Sequence, residues 1–207
     1  MAFKNSFLRV LAAAAIGAAA FMAPTAMAQS NSHTVVDPAQ PSDTAGKTEV
    51  LEFFSYSCPH CASMEPLIEK WSQTLPEDTI VKRVPVAFNA SMVDLQKLYY
   101  SLESMGRLDL HPAVFKTIHQ ERNRIYSQDA ITDWMVGQGV DKAKFEAVFN
   151  SFGVQTKINR ANELADTYNV QSTPSLAVAG KYVVSPSMTG SYEATITEAQ
   201  RLLDSLK

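Results

Sequence analysis

Val50-Leu51-Glu52-Phe53-Phe54-Ser55-Tyr56-Ser57-Cys58-Pro59-His60-Cys61 is the stretch on which the reading of this chain turns. Its first eight residues are apolar and aromatic enough for a buried strand, and Ala62 to Leu75 beyond it carries apolar side chains at helical spacing. The two cysteines therefore fall at a strand-to-helix turn. Pro59 fits just inside the helix start, where its missing N–H costs nothing and its fixed φ suits the first turn. That puts Cys58 near the N-cap. Unpaired N–H groups and the positive end of the helix dipole favour an anion there, so the Cys58 thiol is expected to ionise at low pH. Cys61, one helical turn on, is spaced to attack a mixed disulfide formed at Cys58. The pair reads as redox-active rather than as two separate thiols.

Outward from the motif, the amino terminus carries Lys4 and Arg9, an apolar run from Val10 to Phe21 and the small-x-small pattern Ala26-Met27-Ala28. This predicts a secretory signal over residues 1–28. A membrane anchor is the alternative, but the run is alanine-rich and short of the roughly 20 strongly apolar residues a spanning helix needs. The formal charge is −3, and cleavage removes two cations, so the chain is no nucleic-acid binder by charge. Both cysteines lie in the one motif and have no other intramolecular partner. A staple across so short a loop constrains the unfolded chain little, which in an oxidising compartment points to catalysis.

Residues 29–46, rich in Ser, Thr, Asn, Pro and Asp, predict a flexible tail or loosely docked lead-in. A first strand follows over 47–55, with Val50, Glu52 and Phe54 on one face and Leu51, Phe53 and Ser55 on the other. In the motif helix, Met64, Leu67, Ile68 and Trp71 face inward, Glu65, Glu69 and Lys70 form the wet side, and Pro66 predicts a kink or break. Residues 79–88 read as an edge or bulged strand because of Pro85. From 91 to about 170 the pattern is helical: 92–102, a helix opened by Asp109-Leu110-His111-Pro112, then 127–136, 141–149 and 156–168, separated by Gly137, Gly139 and Gly153. Such a block is too long for a loop and predicts a helical subdomain. Thr173-Pro174-Ser175 then precedes a hairpin over 176–184 with its turn at Gly180-Lys181, and 191–206 is a closing helix.

With these residues in place the chain resembles the DsbA family of exported thiol:disulfide oxidoreductases. The resemblance rests on Val50 to Ser55 leading into Cys58-Pro59-His60-Cys61, on the position of the helical block and on Thr173-Pro174 before the hairpin. It implies an α/β thioredoxin-like fold with an inserted all-helical subdomain, the first unit formed by 47–88 and 171–207 and the insertion by 89–170. It further implies a cis bond at Pro174 facing the cysteines, and a Pro59-His60 centre that makes the disulfide strongly oxidising.

On that reading Cys58 is the nucleophile and carrier of the exchangeable disulfide, and Cys61 the more buried resolving thiol. His60 donates to the Cys58 thiolate or adds positive charge beside it, or else is an exposed helix-start residue without redox effect. Glu52 matches the family's acid beneath the disulfide, and either relays the proton of the resolving thiol or pairs with a base such as Arg83. Thr173 and Pro174 are expected to bind substrate, with the Thr173 backbone pairing to an extended chain. His33, His111 and His119 read as loop or helix-surface residues. No metal is expected, since zinc needs four ligands and a second close pair is lacking. Copper delivery on the same fold competes, because a dithiol with a nearby His or Met64 can hold copper, although the helical spacing of Met64 favours the core.

The implied function is transfer of the Cys58-Cys61 disulfide to reduced, newly exported proteins in the periplasm, with reoxidation by a DsbB-like quinone-linked membrane oxidase and no prosthetic group. A disulfide isomerase or reductase is the alternative within the enzyme class. The exported isomerases of this fold carry a sizeable N-terminal dimerisation domain, and the short 29–46 segment argues instead for a monomer and an oxidase.

Overall fold

The computed structural model describes residues 32–206; the signal reading at 1–28 lies outside them. A five-stranded sheet runs in the order β1-β5-β4-β2-β3, with β1 at Thr34–Val35, β2 at Thr48–Phe54, β3 at Thr79–Pro85, β4 at Ser175–Val178 and β5 at Tyr182–Val184. β2 lies parallel to β3 and antiparallel to β4. From Glu49 onward every β2 residue is buried, as suits a strand covered on both faces. β3 is an edge strand and ends at Pro85, where a missing N–H breaks no ladder.

Helix α1, Pro59–Ser72, and helix α8, Tyr192–Asp204, cover one face. Val50, Met64, Ile68, Trp71, Leu176, Val178, Ala199 and Leu202 pack there, and Trp71 Nε1 donates to Gln200 Oε1 at 2.8 Å to tie the two helices together. The other face carries the segment between β3 and β4: α2 (Val93–Ser104), α3 (His111–Phe115), a π-helical turn (Lys116–Gln120), α4 (Gln128–Gly137), α5 (Lys142–Phe149) and α6 (Phe152–Thr167). Ser127, Asp141 and Ser151 cap α4, α5 and α6 by accepting from the third N–H beyond. These helices share one continuous core with the sheet, in which Leu51 and Phe53 of β2 meet Leu98, Phe145, Phe149 and Ile158. A short helix α7, Pro186–Thr189, links β5 to α8.

The structure departs from the sequence reading in several places. The lead-in is not a loose tail: β1 pairs with β5, and the Val36 and Gln40 N–H groups donate to Lys181 and Gly180 carbonyls. Two strand residues are too few for a periodic signal. α1 runs through Pro66 without a break; that residue is exposed, so water can serve the carbonyl that loses its partner. Gly153 does not separate helices but lies in the first turn of α6 behind the Ser151 cap. The hairpin turn sits one residue earlier than expected, with Ala179 and Gly180 both at positive φ (51° and 70°).

Candidate active site

The turn from β2 into α1 closes through the Cys58 N–H, which donates to Ser55 O at 3.0 Å. Cys58 has extended backbone angles and is the N-cap of α1, and Pro59 takes the first helical position. Its side chain caps no N–H within hydrogen-bonding reach in the thiol form. The sulfur is instead free to face its neighbours, donating to Thr173 O at 3.3 Å. Both cysteines are thiols here, Cys58 half-buried and Cys61 fully buried.

That difference in exposure sets their chemistry apart. The Cys61 thiol beside the Cys58 sulfur holds its pKa down, more strongly than burial raises it, and the Cys61 backbone N–H, the Thr173 side chain and the His60 backbone N–H add to the effect. The Cys58 thiol is thereby lowered to about 5. Burial pushes Cys61 far upward, and the neighbouring Cys58 sulfur pushes it further. A dithiol arranged this way carries its charge on the accessible sulfur and its proton on the buried one.

The His60 side chain does not approach Cys58 by any hydrogen bond; its Nδ1 lies 2.7 Å from the Tyr192 hydroxyl. The backbone of His60, rather than its ring, is what faces the thiolate. Thr173-Pro174 has the cis bond the resemblance implies and lies across the turn from Cys58. Beside it opens a groove of about 570 Å³ bounded by His60, Thr173, Pro174, Pro186, Tyr192 and Glu193.

Glu52 is wholly buried, and neither carboxylate oxygen has a hydrogen-bond partner. Arg83 Nε approaches one oxygen to 3.4 Å, a charge contact outside hydrogen-bonding geometry. The guanidinium is committed elsewhere, to Glu65 Oε1 at 2.6 Å and Glu69 Oε2 at 2.9 Å. Burial, with the Glu65 charge adding to it and Arg83 opposing, raises Glu52 to about 8. Burial also works to raise Glu65, but the His111 and Arg83 contacts outweigh it and hold that carboxyl below the usual range.

Two groups assigned to the surface are buried here. Glu65 belongs to no wet side; it is the acid that takes Arg83. His111 is enclosed, with Nδ1 2.6 Å from the Tyr56 hydroxyl and Nε2 3.2 Å from Glu65 Oε2. His119 is half-buried and donates from Nε2 to Tyr56 O at 2.8 Å. A carboxylate or an imidazole on a helix is solvated by default, and the partners that reverse the default come from elements distant in sequence. Met64, weighed as a soft ligand for copper but expected in the core from its helical spacing, is fully buried there.

Comparison with known proteins agrees with this geometry. Residues 42–198 match the thioredoxin family. The thiol:disulfide interchange protein DsbA of Bordetella pertussis is 50% identical over 188 residues, 90% of each chain. DsbA of Pseudomonas aeruginosa strain PAO1 is 38% identical over 165 residues, 79% of this chain and 78% of that one. A crystal structure of Pseudomonas aeruginosa DsbA superposes with a TM-score of 0.80 at 35% identity, covering 84% of this chain and 91% of that one. The oxidoreductase DsbA from Xylella fastidiosa gives a TM-score of 0.77 at 26% identity, covering 84% and 94%. Sequence, fold and the paired thiols at the head of α1 agree: the chain belongs to the DsbA family of thiol:disulfide oxidoreductases, built on the thioredoxin fold.

Proposed function

We propose that the protein works as an oxidase in the periplasm, donating a Cys58-Cys61 disulfide to reduced, newly exported proteins. The observation that carries this reading is the opposed state of the two sulfurs, the accessible one stabilised as an anion and the buried one held protonated. A substrate thiolate attacks Sγ of Cys58, forming a mixed disulfide and breaking the bond to Cys61, whose sulfur leaves with the electron pair and takes up a proton. A second substrate thiolate then attacks the substrate sulfur of the mixed disulfide. Cys58 leaves as a thiolate, and the substrate keeps the new disulfide. Two electrons have passed to the protein.

Because Cys61 is a poor anion, its departure needs an acid. Glu52, buried on the strand that leads into the turn and carrying its proton at neutral pH, is suited to that role, and Arg83 is too occupied to ionise it fully. Thr173 lies where an extended chain bound beside Cys58 would meet its backbone, and Pro174 and Pro186 give the groove apolar walls. Loose contacts of this kind suit a donor that must release many clients. Electrons are held on the cysteine pair alone, with no prosthetic group, and a membrane oxidase of the DsbB kind would restore the disulfide. The chain acts as a monomer in this scheme.

Equilibration with glutathione tests the assignment. An oxidase is reduced by glutathione at low concentration, and Cys58→Ser loses all catalysed oxidation of a reduced protein. A disulfide that resists millimolar glutathione, or a Cys58→Ser protein that still oxidises a dithiol peptide, overturns it.

A further inference from the structure

The polar ends of Tyr56 are both held by histidines. Tyr56 is the second residue of the Ser55–Cys58 turn, whose closing bond is the Cys58 N–H to Ser55 O. Its phenol lies 2.6 Å from His111 Nδ1, and its carbonyl accepts from His119 Nε2 at 2.8 Å. Both histidines come from the helices between β3 and β4. His111 opens α3, and His119 sits in the π-helical turn that continues it, a distortion frequent at functional sites.

The line does not stop at the histidine. Nε2 of His111 faces Glu65 Oε2 of α1 at 3.2 Å, a charge contact outside hydrogen-bonding geometry, and Glu65 gives its other oxygen to Arg83 of β3. With Glu65 held ionised against its burial by His111 first and Arg83 second, charge favours the His111 ring proton on Nε2, and in that tautomer Nδ1 accepts from the Tyr56 hydroxyl. Phe54, Tyr99 and Phe115 pack edge-on around the imidazole at centroid distances of 5.2, 5.6 and 5.2 Å, which leaves the ring one orientation. Within the turn itself, the Ser55 and Ser57 hydroxyls hydrogen-bond to each other at 3.0 Å.

We propose that His111 and His119 are positioning residues of the thiol–disulfide reaction, acting through Tyr56. They hold the turn so that the Cys58 sulfur, which caps no N–H as a thiol, lies at the head of α1 where as a thiolate it can accept from the first N–H groups of the helix. A hydrogen bond to a thiolate weakens steeply as distance and angle degrade, so slack in the turn costs the anion more than it costs the disulfide. The inserted helices thus reach the reacting sulfur without touching it. This inference rests on the reading of Cys58 as the reactive thiolate.

The test is paired measurement of the Cys58 thiolate titration and the glutathione equilibrium, in which two glutathione thiols reduce the Cys58-Cys61 disulfide and leave as glutathione disulfide. Tyr56→Phe removes the phenol alone and keeps the ring in place. His119→Ala removes the donor to the carbonyl, and His119→Gln restores one. Tyr56→Phe and His119→Ala are each expected to raise the Cys58 pKa and to move the equilibrium about three- to tenfold toward the disulfide, the effect of weakening about one hydrogen bond. His119→Gln recovers most of the shift. Phe145→Leu, in the core of α5, lowers stability and leaves both readings unchanged.

The inference is overturned if folded Tyr56→Phe and His119→Ala both stay within about twofold of the parent. It is equally overturned if Phe145→Leu moves the equilibrium as far as they do. A parent whose Cys58 titrates like an ordinary thiol would instead overturn the reading on which the inference rests.

Discussion

Cys58 and Cys61 are three residues apart and chemically opposite, because one is part-exposed at the head of α1 and the other faces the core. Linkage gives this a sign. Cys58 has its folded pKa lowered from 9.0 to about 5, so its ionisation adds stability to the reduced protein above pH 9, and that stability is lost as pH falls through 5. The oxidised protein has no such contribution. Glu52 behaves in the opposite sense. Its folded pKa is raised from 4.5 to about 8, so its protonated form favours the fold fully below pH 4.5, and the benefit is lost as pH rises through 8. Glu52→Gln is therefore expected to be more stable than the parent at pH 8, by about 1–3 kcal/mol, with the gap closing near pH 4; denaturant unfolding at the two pH values measures it. The His60 ring is held at 2.7 Å by the Tyr192 hydroxyl; if its charge aids the thiolate, His60→Ala moves the glutathione equilibrium toward the disulfide by about fivefold, and Tyr192→Phe, which frees the ring, moves it less in the same direction. Unchanged equilibria in both would leave the backbone N–H of His60 as its whole contribution.

At the scale of elements, local patterns carried what they could. The alternation in β2, the proline after Cys58 and the spacing of Met64, Ile68 and Trp71 are nearest-neighbour signals, and they placed the turn and the inward face of α1. Glu65, His111 and His119 were illegible for the opposite reason. Their burial is decided by Arg83 and Tyr56, and no local pattern pairs residues 65 and 111. β1 was missed because it is two residues held by its partner rather than by its own propensity. Gly180 shows how firmly the lead-in is docked. It sits at φ +70°, and a Cβ there would run into the Gln40 backbone. Gly180→Ala is expected to cost about 1–3 kcal/mol, from strain and displaced backbone together, and to expose residues 32–40 to faster hydrogen exchange. Loss of stability without that local exchange would mean the segment is not held by the hairpin.

The whole molecule divides its labour between a sheet that presents the cysteines and helices that back it with a shared core. Phe149, fully buried on α5, belongs to that core and makes none of the hydrogen bonds at the sulfurs. Phe149→Ala is expected to lose about 3–5 kcal/mol in thermal or denaturant unfolding while the folded fraction keeps its thiol reactivity. The most direct test of the account is the ultraviolet absorbance of the thiolate in the reduced protein, followed from pH 3 to pH 9. The account predicts one sulfur ionising near pH 5, lost in Cys58→Ser, with the other silent across the range. A Cys58 that stays protonated until the pH nears 9 would contradict it.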